Sequence, residues 1–206
     1  VLRMDFDTTS RKGMHEEMIN SFKNHEYDIL LGTQIVTKGL DFSNVTLVGV
    51  INADTALNIP DFRSSENTFS LLSQVAGRSG RSSKTGKVVI QTYNPDHYAI
   101  SFAKNHDYLG FYNKEMEIRR ILKYPPFYYL CFIRISGKDP NYIFGEANKI
   151  KRSLDRNLLH TSILGPSTCS VFKVNNIYRY GIILKYKKED NLKVILEKIL
   201  DHYKSN

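Results

Sequence analysis

The sequence has no tryptophan, two cysteines and six prolines among 206 residues. No hydrophobic run approaches the roughly 18 residues that a membrane-spanning helix needs. Cys131 and Cys169 lie far apart without CxxC spacing, which excludes a thiolate zinc cage and a disulfide framework and leaves two packed thiols. The opening VLRMDFD lacks the charged-then-apolar layout of a secretory leader. A cytoplasmic chain with no membrane partner is therefore expected. With 41% hydrophobic and 24% charged residues, disorder throughout is excluded, and the length suits one large domain or two small ones.

What is present is unevenly spread. Residues 1–106 balance 11 Lys and Arg against 11 Asp and Glu, whereas residues 107–206 carry 18 against 10, so the whole net charge of +8 belongs to the second half. That half also holds ten of the thirteen tyrosines. Basic charge interleaved with aromatics suits phosphate neutralisation and base stacking, although a solvated basic surface over a tyrosine core has the same composition. The shift itself predicts two domains, 1–106 and 107–206.

In the first half, Val1–Met4 reads as a short strand. A helix with Met14, Met18, Ile19 and Phe22 at helical spacing follows, with side-chain caps available from Asp7 to Ser10. Asp28–Gly32 and Val45–Ala53 read as buried parallel strands. A helix with Phe69, Leu71, Leu72 and Val75, a strand over Lys87–Tyr93 and a helix from Pro95 complete the order β-α-β-β-α-β-α. Such alternation predicts an α/β fold with an open parallel sheet whose strand-end loops carry function. In the second half a linking helix over 107–124 stops at Tyr124-Pro-Pro-Phe127 because proline cannot continue it. Strands at Tyr129–Ser136, Thr168–Lys173 and Tyr178–Tyr186, with helices at Asn141–Asn157 and Asn191–Lys204, predict a small α+β domain with its helices on one sheet face. There is no internal repeat or low-complexity segment.

Two clusters carry chemistry. In GTQIVTKGLD (32–41), glycines, threonines, a glutamine and a lysine follow a buried strand and can present backbone N–H groups, hydroxyls and a cation to phosphate oxygens; the glycines also suit ordinary turns. In QVAGRSGR (74–81), Arg78 and Arg81 stand three residues apart, so on a helical turn they point the same way, with glycines removing bulk beside them. Convergent guanidiniums make a site for a multiply charged phosphate. His97 and His106 have no metal-ligand spacing and read as surface or packing residues.

QVAGRSGR resembles motif VI of superfamily 2 helicases, and GTQIVTKGLDF resembles their motif V. MDFDTTSRKG, TKGLDFSNVTLVGVINAD, IPDFRSSENTFSLLSQVAGRSGR, GKVVIQTYNPDHYAI and YPPF are together similar to the primosomal protein N′ family of replication-restart DNA helicases. The likeness is dense over residues 1–127 and thinner beyond, where Ile163-Leu-Gly-Pro166 and Tyr178-Arg-Tyr180 also fit. The resemblance implies a C-terminal fragment: the second of two RecA-like lobes, then a domain similar to a ribosomal S10 fold.

What the resemblance implies about sites follows residue by residue. Arg81 matches the arginine finger, Arg78 and Gln74 the other phosphate-facing positions, and Gly39 and Asp41 the positions beside the nucleotide sugar. Thr33, Gln34 and Lys38 lie in the loop expected to face the DNA backbone, so one loop would touch both ATP and DNA and could couple lobe closure to DNA grip. Asp54 lies within the family pattern and reads here as a structural cap. No GxxxxGK[ST] occurs, so ATP with Mg²⁺ would be held mainly by a first lobe outside this chain, and the chain alone is expected to be inactive. Zinc would belong to a family insertion also outside it. The basic second half implies contact with forked or single-stranded DNA through Lys173, Arg179 and Lys185, with Arg119, Arg120, Lys123 and Arg134 as further candidates. Single-stranded-DNA-binding protein and other primosome proteins are the implied partners. The implied role is part of an ATP-dependent 3′ to 5′ helicase that recognises stalled or branched forks and restarts replication by primosome assembly, in a cytoplasmic, nucleoid-associated setting. A noncatalytic nucleic-acid-binding adaptor and another superfamily 2 helicase or translocase are the alternatives.

Overall fold

The computed structural model describes residues 1–5, 13–33, 45–77 and 86–204. The chain divides into two compact units, Val1–Tyr112 and Asn113–Asn206.

In the first unit β1 (Leu2–Met4) and β2 (Leu30–Gly32) pair in parallel, as do β3 (Leu47–Val50) and β4 (Lys87–Ile90). The expected single open sheet is thus seen, among the described residues, as two separate two-stranded parallel sheets. Between the strands lie α1 (Met14–Lys23), α2 (Asp54–Leu57), α3 (Ser64–Ala76) and α4 (Tyr98–Lys104). The cap of α1 is Gly13, in the left-handed region at φ 91°, rather than a side chain from Asp7 to Ser10, which lie outside the described residues. The apolar spacing of α3 buries Phe69, Leu72 and Val75, and Thr68 joins them because its hydroxyl donates to the Ser64 carbonyl at 2.8 Å. Phe69 stacks on Phe111 with ring centroids 4.1 Å apart, and Ala53, Ala99, Ile100 and Ala103 complete this core.

Among the described residues the strands of this unit are covered on one face, where their near-continuous apolar runs predict burial on both. Burial alternates along β3 and β4, leaving Leu47 and Val89 60% and 47% exposed. Strand side chains alternate between faces, and the described helices cover one face.

Asp54 ties the ends of β3 and β4 together. Its carboxylate accepts from the Tyr93 backbone N–H at 3.0 Å and the Thr92 hydroxyl at 2.9 Å, while Asn52 Oδ1 accepts from the N–H groups of Asp54 and Thr55. This is the structural role read from the sequence. The Tyr93 N–H, helped by Thr92, holds the Asp54 carboxyl below the usual carboxylate range against the opposing pull of desolvation.

The second unit is built on a three-stranded antiparallel sheet of β5 (Tyr129–Gly137), β6 (Ser162–Val174) and β7 (Ile177–Tyr186) in the order β5-β7-β6. The strand β6 begins six residues earlier than the sequence pattern predicts. Gly165, at φ 97°, and Pro166 interrupt the alternation, and the register shifts between Leu164 and Ser167. The strand is at the edge of the sheet, and edge strands and bulges are where proline is tolerated.

Helix α6 (Pro140–Asn157) starts where Asp139 accepts from the N–H groups of Asn141 and Tyr142 with proline in the first turn. Its Ile150 and Leu154, with Leu158, pack against Ile182 and Leu184 of β7 and Leu192 of α7 (Leu192–Lys204), so both helices lie on one face of the sheet. Tyr203 of α7 donates to Glu146 of α6 at 2.6 Å, and desolvation with that bond pushes its phenol up to about 12.

The helix α5 (Tyr108–Ile121) ends in a Schellman arrangement. Lys123 takes the left-handed conformation at φ 58°, and the N–H of Tyr124 reaches the Arg119 carbonyl at 2.8 Å. Arg119 is buried on Glu115 at 2.6 Å and donates to the Pro125 carbonyl. Lys185, only 6% exposed, donates to the Leu122 carbonyl at 2.9 Å and sits 3.5 Å from the Tyr124 ring centroid. A cation at a helix C-terminus is stabilised by the dipole, and one over a desolvated ring by the ring's quadrupole.

Two outcomes follow. Lys185→Ala lowers the unfolding free energy by about 2 kcal/mol or more, and Lys185→Met by less because methionine keeps the stem's packing; urea denaturation of the two variants checks this. The depressed Asp54 carboxyl contributes stability that is present above its unfolded value of about 4 and is lost as pH falls through the lower folded value. The stability gap between wild type and Asp54→Asn should therefore close on acidification below about pH 4, read from unfolding midpoints across a pH series.

Candidate nucleic-acid interface

The first unit places two of the expected residues in view. Thr33 is exposed directly after β2, at the strand's carboxyl end. Gln74 is exposed in the last turn of α3, its amide donating to Ser70 Oγ at a long 3.3 Å. Leu72 and Val75 anchor the buried side of that helix, and this turns Gln74 outward. Gln34, Lys38, Gly39, Asp41, Arg78 and Arg81 lie outside the described residues. Among the described residues no group of three His, Cys, Asp or Glu side chains could hold a metal ion.

His97 caps α4, its Nδ1 accepting from the Ala99 N–H at 3.2 Å, and His106 takes the left-handed conformation just past the same helix at φ 53°. Both act in local structure.

In the second unit β6 and β7 form a hairpin closed by Asn175-Asn176, both in the left-handed region at φ 50° and 60°. Asparagine pays little to adopt that conformation, and the primed turn matches strand twist. The hairpin carries Lys173 and Arg179. Lys173 is exposed, with its ammonium 5.0 Å from the Tyr178 ring centroid, directly across the ladder. Phe172 meets Tyr178 and Tyr180 edge-on at 5.3 and 5.4 Å, and Phe144 of α6 adds to Tyr180 at 5.1 Å. This aromatic packing stiffens the ribbon beneath the cations.

The remaining basic candidates separate by burial. Arg179 is half-buried and Arg134 exposed, and among the described residues neither pairs with an acid. Arg120 is exposed over Phe127 at 4.7 Å, and Lys123 is exposed at the end of α5. Arg119 and Lys185 are buried in the bonds described above. Lys185 thus has no free surface for a phosphate in this fold, a correction to its place beside Lys173 and Arg179. Spacing alone could not reveal this, because the segment that buries it lies about sixty positions earlier, at Leu122 and Tyr124.

Sequence reasoning passed over a basic ridge on α6. Lys149, Arg152 and Arg156, with Ser153 and Asn157, line a shallow groove there. Their spacing of three and four along one helix was the available signal. No described helix is long and apolar enough to cross a membrane.

Comparison with known proteins adds identity to this geometry. The helicase conserved C-terminal domain family matches residues 2–83, and the primosomal protein N C-terminal domain family matches residues 120–205. The chain is 53% identical over 205 residues to the replication restart protein PriA of Bacillus subtilis, with 99% of this chain and 26% of that protein covered. The PriA of Chlamydia pneumoniae is 43% identical over 185 residues, covering 89% and 25%. That of Synechocystis is 40% identical over 199 residues, covering 96% and 24%. The chain therefore spans about a quarter of the length of these relatives. A helicase C-terminal domain match followed by a primosomal protein N C-terminal domain match, with identity to PriA running through both, places this mixed α/β chain in the replication restart protein PriA family.

Proposed function

We propose that residues 1–106 act as the second RecA-like lobe, and residues 107–206 as the C-terminal DNA-binding domain, of an ATP-dependent 3′ to 5′ DNA helicase that restarts replication at stalled or branched forks. The observation that carries the reading is the helicase domain match over residues 2–83, which spans both motif-like clusters. In this reading the C-terminal domain has an S10-like fold, and the protein works in the cytoplasm, on nucleoid DNA.

The chemistry assigned to this chain is electrostatic. ATP with Mg²⁺, held mainly by a first lobe, supplies the transferable phosphoryl group. Arg81 provides the guanidinium that offsets charge developing on that group, Arg78 and Gln74 orient the phosphates, and Gly39 and Asp41 pass beside the sugar. Thr33, Gln34 and Lys38 grip the DNA backbone from the same loop, and Lys173 and Arg179 add contacts from the hairpin. Single-stranded-DNA-binding protein and other primosome proteins are the partners of this reading, and zinc belongs to the family insertion. A helicase domain in a restart family favours a motor over a noncatalytic adaptor.

The test is DNA-stimulated ATP hydrolysis in the full-length protein that carries this chain. Arg81→Ala should cut turnover by about a thousandfold or more while leaving forked-DNA affinity within a few fold. The isolated chain should show no turnover. Full-rate hydrolysis by the variant would remove Arg81 from its role, and absence of turnover in the full-length wild type would return the weight to the adaptor.

A further inference from the structure

The helices α6 and α7 cover one face of the C-terminal sheet, and the other face carries an ordered set of side chains. Register partners share a face. Arg134 lies opposite Gly181, with Ser167 on the far side of it; Ser136 lies opposite Arg179; and Phe132 lies opposite Ile183, with Leu164 beyond. Phe132 is 57% exposed and Leu164 45%. A side chain at position 181 could not coexist with this arrangement. A Cβ on Gly181 would stand 2.6 Å from Phe132 Cε2 and 3.5 Å from Cys169 Sγ, so the absence of a side chain there lets the Phe132 ring lean across the central strand.

The charge of the sheet has one sign. No acidic residue occurs in β5, β6 or β7, whereas Arg134, Lys173, Arg179 and Lys185 do; the acids of this unit lie on helices and loops. Arg134 and Arg179 sit diagonally across the ladder, about 7–8 Å apart at Cα for such neighbours. A face with an exposed aromatic, two cations that pair with no acid among the described residues, and small hydroxyls suits a polyanion with flat apolar groups.

We propose that this open sheet face is a stacking platform for single-stranded nucleic acid: Phe132, seated over Gly181, takes an unpaired base, while Arg134 and Arg179 hold the adjoining phosphates. The inference rests on the nucleic-acid reading of the C-terminal domain and goes beyond it by naming the strand state and the surface. Duplex DNA keeps its bases stacked internally and offers this ring nothing, so the face discriminates in favour of unpaired strand.

The experiment is fluorescence anisotropy of this 206-residue chain with a labelled oligodeoxythymidylate, across a salt series. Phe132→Ala should weaken binding about tenfold, as loss of one base stack does, with an unchanged salt slope. Arg134→Ser with Arg179→Ser should lower the slope of log affinity against log salt by about 1.4, at about 0.7 per phosphate contact on a single strand. Arg152→Ser with Arg156→Ser, which removes equal charge from α6, is the control and should change binding less. Because the chain has no tryptophan, Phe132→Trp places a single indole on the face. Its emission should be quenched by the oligonucleotide and not by a duplex, and this arm stands even if the alanine variant folds poorly. Wild-type affinity in Phe132→Ala, or an equal loss in the α6 control, would overturn the platform alone. Failure of the wild type to bind any DNA would overturn the underlying nucleic-acid reading.

Discussion

One buried cation organises the C-terminal unit. Lys185, on the central strand of the sheet, reaches the last carbonyls of α5 and the Tyr124 ring, and so pins the segment entering the sheet to the strand at its centre. An ammonium loses hydration on burial and is tolerated only where carbonyl, helix dipole and ring replace it. Beside it Lys123 takes the left-handed turn that ends α5, and Arg119, paired with Glu115, donates to the Pro125 carbonyl. β5 begins four residues after Pro125, in register with the end of β7 at Tyr186.

With that end fixed, the two faces of the sheet acquire different characters. Cys131, Ile133 and Ile135 of β5 turn toward Ile182 and Leu184 and meet α6 and α7. The intervening residues, Phe132, Arg134 and Ser136, necessarily turn the other way. The helices carry acids that pair with their own cations, as Glu146 does with Lys149 and Asp155 with Lys151, while the strands carry cations only. Charge is thus sorted by element, and the positive balance of the second half is concentrated on the sheet and on the outer ridge of α6.

The first unit depends on a smaller device. Parallel strands give no hairpin to hold their ends, and Asp54 performs that task by accepting from Thr92 and Tyr93 across the β3–β4 pair. Behind it the α3 and α4 side chains close the core around stacked Phe69 and Phe111. Gln74 leaves this core on the exposed side of α3, one turn before the arginine pair in the sequence.

Much of this was legible in the residues. Order and type of the main strands and helices followed from period and from Gly, Pro and Asn punctuation, and Asp54 stood out as a cap at a strand end. The motif-like clusters were legible because each needs particular residue types at short spacing. The sequence by itself determined the element order, the basic second half and the membership of the PriA family, since these depend on local periodicity, composition and contiguous motifs. Only the tertiary structure decided that Lys185 is a buried tie rather than a surface cation, that Gly165-Pro166 sits inside an edge strand, and that Phe132 rests over Gly181. Each of these turns on a partner distant in sequence or across a ladder, and burial is a property of the packed neighbours rather than of the residue itself.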